Sequence, residues 1–413
     1  MRKIIVFFAC LGLGRSAAQE IQPGFYMETG STALSQAMLN RLAFGGYISP
    51  EVVSKAMPSW KGVDLRSGAM YEWSLTLGPR TFDIVDSTQK VQFQGVNVAQ
   101  FGGFGAQHSG DALKLAFRGN LPYVGQTLEL GQNRLLAYSG FGIQSEFKCK
   151  SHLFGFGVAN YSSYRSFETH DMVFTTDSAA ERLSLNGQWS SVNAAGNNLS
   201  LQGYYRWSHF KNENGRFQYW SASVYNLGLL HLSKAQVESR GAQWNLNKGF
   251  RPLAWQATDE VQWSQSVLAP RNLQVSDWLT NKKDTLVAGL DILEQQRSGW
   301  VLTPFRAQLM YNSRLVTAIV NYRNLPGFAP RLSLSHSFNA GFKSGRSMGF
   351  SPMISLGGWD TYDINCQFWL LKYNPEEPIN RLSVNVSLQG LEAWLAPKKQ
   401  HGAGASLYIA YRI

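Results

Sequence analysis

Seven histidines, His108, His152, His170, His209, His231, His336 and His401, are the first candidates for acid–base or metal chemistry. No two stand at the close separations that a zinc site uses. His170 lies beside Asp171 and near Glu168, but neighbouring strand residues point to opposite faces, so a solvated loop is the plainer reading. His336 keeps register with Leu334 and Phe338 and reads as a rim residue. Serines and acids are plentiful, yet no spacing assembles a nucleophile, a base and an orienting group, and the sequence predicts no enzyme. The run Gly102-Gly103-Phe104-Gly105 is followed by no lysine and hydroxyl pair, so it is not a phosphate loop. Glycines in such a run permit bends or make room for a large neighbour. No cofactor or metal is expected. The charged residues that carry the most weight are Arg206, Arg331 and Arg381. Each falls on the polar face of an alternating run, where it would face a lumen.

The elements that would position those arginines are strands. Residues 381–388 read Arg-Leu-Ser-Val-Asn-Val-Ser-Leu, with Leu382, Val384, Val386 and Leu388 on one face and Ser383, Asn385 and Ser387 on the other. The same alternation places Tyr71, Trp73, Leu75 and Leu77 together, then Leu199, Leu201, Tyr205 and Trp207, then Leu332, Leu334 and Phe338, then Tyr362, Ile364, Cys366, Phe368 and Leu370. Turn signals such as Asn214-Gly215, Pro326-Gly327 and Lys343-Ser344-Gly345 separate the runs. At about 25 residues per strand and connection, residues 66–413 hold about 14 strands, within a range of about 12 to 16. Spacing is least regular between residues 226 and 305. The last run puts Leu407, Ile409, Tyr411 and Ile413 on one face, as a closing strand would.

The N-terminus supplies the compartment. Arg2 and Lys3 precede an apolar run from Ile4 to Leu13, and Ser16, Ala17 and Ala18 form a small-residue cleavage site. Residues 1–18 therefore read as a secretory signal peptide, with Gln19 the first mature residue. Cys149 and Cys366 are then the remaining thiols, too few and too far apart for a disulfide framework. Charged residues make up 16% of the chain, against roughly 25% in soluble domains. Aromatics reach 13%. The formal net charge is +11, and about +8 once Arg2, Lys3 and Arg15 leave with the signal. That excess suits anionic solutes or lipid phosphates, and without a dense basic run it does not point to nucleic acid. After the signal no apolar stretch approaches the roughly 20 residues of a membrane helix, so crossing a bilayer requires a closed barrel. The fold expected is all-β, a transmembrane antiparallel barrel. A secreted sandwich or propeller also alternates, but does not require so many long aromatic-rich strands. Trp73, Trp189, Trp207 and Trp369 suit interfacial girdles.

Residues 19–65 differ from the rest. Ala33, Leu34, Ala37, Met38 and Leu42 follow a short helical pattern that ends near Gly45-Gly46. Ser49-Pro50-Glu51 offers an N-cap with proline at the first helical position, and Pro58 stops the run after Met57. This segment would form a hatch in the lumen or rest on the periplasmic side.

Several stretches resemble an uncharacterised family of Bacteroidota outer-membrane proteins. They are Leu39 to Tyr47, Leu113 to Asn120 with Gly125-Gln126-Thr127, Gly140-Phe141-Gly142, Gly155-Phe156-Gly157, Gly357-Gly358-Trp359 and Gly402-Ala403-Gly404. More distantly, the architecture is similar to long-chain fatty-acid transporters and to a relative that shuttles cargo in type IX secretion, barrels with an N-terminal hatch. Their hatch often carries Asn-Pro-Ala, whereas Asn40 here is followed by Arg41-Leu42. The resemblance carries over no catalytic residue. Three functions follow in order: a hatch-gated conduit for a small apolar or anionic solute, a non-transporting subunit of an envelope assembly such as secretion or gliding machinery, and a lipid-modifying barrel enzyme. The partners expected are outer-membrane lipid, with a small-molecule solute or an envelope protein complex, and no nucleic acid.

Overall fold

The computed structural model describes residues 19–44, 48–62, 64–79, 92–118, 121–176, 183–213, 216–246, 293–313, 315–342, 346–359, 362–373, 380–397 and 401–412. The signal segment, Gly45 to Tyr47, two of the turn signals (Asn214-Gly215 and Lys343 to Gly345) and Ile413 lie outside the described residues, as does most of the irregular stretch before residue 293.

Strand β1 (Gln19–Ser31) leads to helices α1 (Gln36–Phe44) and α2 (Pro50–Ala56), then to β2 (Leu65–Pro79) and β3 (Gln92–His108). Helix α3 (Gly110–Arg118) precedes the long strands β4 (Thr127–Cys149), β5 (His152–Thr176), β6 (Leu183–Glu213) and β7 (Arg216–Leu246). Shorter pieces follow: β8 (Leu293–Leu302), β9 (Arg306–Ser313), β10 (Thr317–Arg323), β11 (Arg331–Ser335), β12 (Phe338–Phe342) and β13 (Arg346–Gly357). The chain ends with β14 (Tyr362–Tyr373), β15 (Asn380–Gln389), the short helix α4 (Leu391–Leu395) and β16 (Gly402–Arg412).

These strands close into an antiparallel barrel of 14 wall positions. Closure comes from β1, which pairs with both β2 and β16, and from β11, which pairs with both β10 and β13. Two wall positions are shared. Segments β8 and β9 both pair with β7 and are parted by Thr303 to Phe305, where Pro304 has no N–H to give the ladder. Segments β11 and β12 both pair with β13 and are parted at His336-Ser337.

The alternation read in the sequence sorts the side chains. Val384 and Val386 lie opposite Ile409 and Leu407 on the outer face, while Asn385 and Ser387 lie opposite Tyr408 and Ser406 on the lumen face. Trp73, Phe156, Leu201, Trp207, Leu309 and Ile354, from five different strands, are all exposed on the outside. An apolar belt of this extent is a lipid-facing surface. In Gly140-Phe141-Gly142 and Gly155-Phe156-Gly157 the phenylalanines join the belt and the glycines face in.

Three sequence expectations need correction. Residues 19–65 do not form a segment apart from the barrel, because Gln19–Ser31 is a wall strand. Pro23 disguises it, and its missing N–H falls where the β1–β16 ladder skips from Ile21 opposite Tyr411 to Gly24 opposite Tyr408. Trp189 is buried against Phe167, with ring centroids 5.7 Å apart, so it belongs to no girdle. Trp369 shares the lumen face with Asn365 and Gln367 and packs over Gly349, where an added Cβ would meet the ring at 2.1 Å.

The two ends of the barrel differ. At the end carrying both termini several connections are short, such as Lys150-Ser151 and residues 314–316. At the far end the connections that carry α1, α2 and α3 are long. Ser49 caps α2 by accepting from the Val52 N–H, with Pro50 at the first position. Trp60 is the centre of this cap. It is fully buried among Ala33, Leu34, Met38, Val53 and Phe117, and its Nε1–H donates to the Ala33 carbonyl at 2.8 Å.

Candidate functional site

The polar faces of the strands enclose a cavity of about 1580 Å³ in the half of the lumen nearest the termini. Its mouth lies at Glu20, Gly78, Lys150 and Ser151, and its blind end at Glu72, Phe101, Tyr225, Arg306 and Tyr408. Between them the wall carries Ser74, Thr76, Asn97, Gln144, Gln202 and Ser383. Alternation alone accounts for this lining, since each residue occupies an inward position of its strand.

The cavity stops because two connections from the far end fold into the barrel. The first joins β10 to β11. Its Leu325-Pro326-Gly327-Phe328 turn closes with a Phe328 N–H to Leu325 carbonyl bond of 3.1 Å. Gly327 has φ +81°, which a turn with proline before it requires of its third residue. The turn crosses to the opposite side of the ring and lies on β2 and β3. There Gly105 lets it approach so closely that an added Cβ would be 1.9 Å from the Pro326 carbonyl, and one on Gly68 would be 2.5 Å from the Phe328 ring. The second connection brings Trp359, between β13 and β14, over Gly30 and Gly402. Phe328 and Trp359 meet edge to face at 4.8 Å, and with Leu325 they pack on Met70, Leu136 and Tyr138. The break at Thr303 to Phe305 joins the plug, since the Phe305 carbonyl accepts from the Asn324 N–H at 2.9 Å. The space left beside it is about 20 Å³, room for about one water.

A charged layer pins this plug. Glu28, on β1, is buried and contacts both Arg323 and the Tyr26 hydroxyl. Arg331 lies 3.8 Å from Glu28, pairs with Asp363 at 2.6 Å and donates to Gln389 at 2.9 Å. Burying ions is costly unless each has a partner, and this layer supplies them across the lumen.

Of the three arginines singled out in the sequence, Arg206 lines the cavity wall and Arg331 belongs to the buried layer above it. Arg381 falls in β15, and its side chain lies outside the described residues. The histidines are apart: His108 bonds Ser67, His152 bonds Tyr205, His336 bonds the Leu315 carbonyl and His401 bonds the Leu34 carbonyl. Among the described residues no group of histidine, cysteine and acid side chains could hold a metal. Cys149 and Cys366 are both free thiols.

Sequence reasoning missed Glu28, Arg306, Arg323, Leu325, Phe328 and the inward role of Trp359. Gly68 and Gly105 were the available signal, because inward glycines on neighbouring strands mark a place where backbone approaches closely. Helices α1 and α2 are where the sequence put them, but the turns above, rather than these helices, contact the lumen wall at the plug.

No protein-family model and no curated protein matches the chain. Solved structures similar to it include the P. putida toluene transporter TodX, at 8% identity over 98% of this chain and 91% of that one, with a TM-score of 0.30. They also include OprB of Pseudomonas putida (9%, 96% and 94%, TM-score 0.24). A third is the translocator domain of the autotransporter NalP from Neisseria meningitidis (6%, 100% and 94%, TM-score 0.25). These values are too low to transfer a role, so function is taken from this chain's own residues.

Proposed function

We propose that the protein is an outer-membrane conduit for a small anionic or apolar solute, held shut by the infolded β10–β11 turn. The carrying observation is the cavity of about 1580 Å³, open toward the termini and ended where the infolded turn packs on the lumen wall. A barrel of 14 strands is wide enough to enclose a ligand cavity or channel, which smaller barrels fill with side chains. The lipid-facing belt supports the outer-membrane setting, and the short connections at the terminal end support a periplasmic position for the mouth. Passage then requires the turn at 324–330 to leave its glycine seat.

The test is ion conductance across planar bilayers. Replacing residues 324–330 with a tight two-residue turn is expected to raise conductance well above that of the unaltered protein. Shortening residues 33–62, which leaves the plug in place, is expected to change it little. A variant that lacks the turn and still seals would refute the conduit and favour a non-transporting subunit of an envelope assembly.

A further inference from the structure

We propose that the blind end of the cavity is a carboxylate-binding site in which Arg306 holds the head of a small aromatic acid. The proposal rests on the cavity being the solute's path and names the class of solute. Arg306 is the first residue of β9, immediately after the break at Thr303 to Phe305. That break is fixed by a Thr303 N–H to Gly228 carbonyl bond of 3.0 Å and by the Thr303 hydroxyl donating to the Asn226 carbonyl at 2.5 Å. The guanidinium is therefore placed by backbone, not by a flexible loop.

Its surroundings leave it incompletely satisfied. Arg323 and Arg331 each touch a carboxylate directly. Arg306 instead stands 3.8 Å from Glu72, beyond hydrogen-bond distance, and its buried Nε–H, like that of Arg331, has no partner, so no carboxylate oxygen bonds the Arg306 guanidinium. Two further buried donors of the lining that lack partners among the described residues, Gln94 Nε2 and Gln144 Nε2, lie nearer the mouth, so the unpaired donor at the blind end is Arg306 Nε. An unpaired buried donor is costly, so the blind end calls for an acceptor. A carboxylate fits the guanidinium fork with two parallel bonds.

The body of the ligand is indicated by the rings around the arginine. Its guanidinium lies 4.6 Å from the centroid of Tyr225, which stacks on Tyr204 at 5.0 Å. Tyr408 brings a hydroxyl within reach of the guanidinium, and Phe101 completes the blind end. Aromatic faces beside a fixed cation suit a flat apolar ring carrying one negative group.

The test is calorimetric binding of benzoate, with benzyl alcohol as the uncharged control, to the full-length protein in detergent micelles. Benzoate is expected to bind roughly tenfold or more tightly than benzyl alcohol. Arg306→Gln is expected to abolish that preference, and Tyr408→Phe to weaken benzoate several-fold. Glu72→Gln, which removes the competing carboxylate, is expected to tighten it. A purely structural Arg306–Glu72 pair would make both substitutions weaken binding, and that result, or equal affinity for the two probes, overturns the site. Should Arg306→Gln not assemble, Glu72→Gln and Tyr408→Phe decide by their opposite signs. Binding in micelles needs no transport, so benzoate binding with no bilayer conductance from the variant shortened at 324–330 counts against the conduit alone, and conductance of that variant without benzoate binding counts against this site alone.

Discussion

Neutralising Glu28 isolates what holds the plug. The Glu28 side chain is 4% exposed and touches Arg323, whose side chain is 16% exposed. Arg331 retains Asp363 at 2.6 Å if Glu28 loses its charge, but Arg323 keeps no acidic partner among the described contacts. Removing one member of a buried pair costs about 3–5 kcal/mol, because the remaining charge is left uncompensated. The strand ladders do not depend on Glu28's charge. Arg323 is the last residue of β10 and the turn follows directly, so the least costly relief is for the turn to swing away and let the guanidinium reach water. Taking the lower figure, about 3 kcal/mol shifts the closed-to-open ratio roughly a hundredfold, at 1.4 kcal/mol per factor of ten. Single-channel recording of Glu28→Gln is therefore expected to show a greatly increased open fraction with an unchanged barrel melting temperature. The double variant Glu28→Gln with Arg323→Gln is expected to recover much of the closure, since no stranded charge remains. An open fraction for Glu28→Gln equal to that of the unaltered protein would refute the reasoning.

Other perturbations give separate readings. Gly105→Val puts a Cβ 1.9 Å from the Pro326 carbonyl, against ordinary contact near 3.4 Å, so the turn must retreat. Overpacking of this kind costs about 1–3 kcal/mol, and conductance should rise while strand content by circular dichroism stays constant. Trp60→Ala empties the centre of the far-end cap at a cost of about 3–5 kcal/mol, to be seen as faster proteolysis between residues 32 and 64 with the barrel intact. The cap should also loosen in acid. Hydrogen bonding from Arg66 holds the Asp64 carboxyl below its ordinary range, so its contribution is present above the unfolded value of about 3.9 and is lost as pH falls through the lower folded one. Proteolysis of the cap by an acid-stable protease should accelerate across that window, and Asp64→Asn should remove the dependence.

The barrel was legible because its outer face meets lipid and its inner face meets polar groups, and a period of two records that contrast directly. Strands such as Leu382 to Leu388 and Leu199 to Trp207 state their own faces. The helices were legible through local chemistry, as in Ser49 capping α2 ahead of Pro50. The plug was not, because it depends on contacts between residues far apart in sequence. Leu325 to Phe328 reads locally as an ordinary turn, and only the ring closure that sets β10 and β11 opposite β2 and β3 brings Pro326 onto Gly105. Arg306 was hidden for a similar reason. Its strand is cut short by Pro304, and the short run that remains gives too little alternation to fix its face. The tryptophans show the limit of type-based reasoning, since Trp73 and Trp207 face lipid whereas Trp369 covers a glycine on the lumen face.

The most direct test of a vestibule closed at one end is the accessibility of a single cysteine inside it. Ser74 lines the cavity and can be replaced by cysteine in a background with Cys149 and Cys366 changed to serine. In oriented proteoliposomes a membrane-impermeant maleimide should label this position from the side of the termini and not from the side of the long connections. Shortening residues 324–330 should open it to both. Labelling of the unshortened protein from both sides, or from neither, would contradict the account.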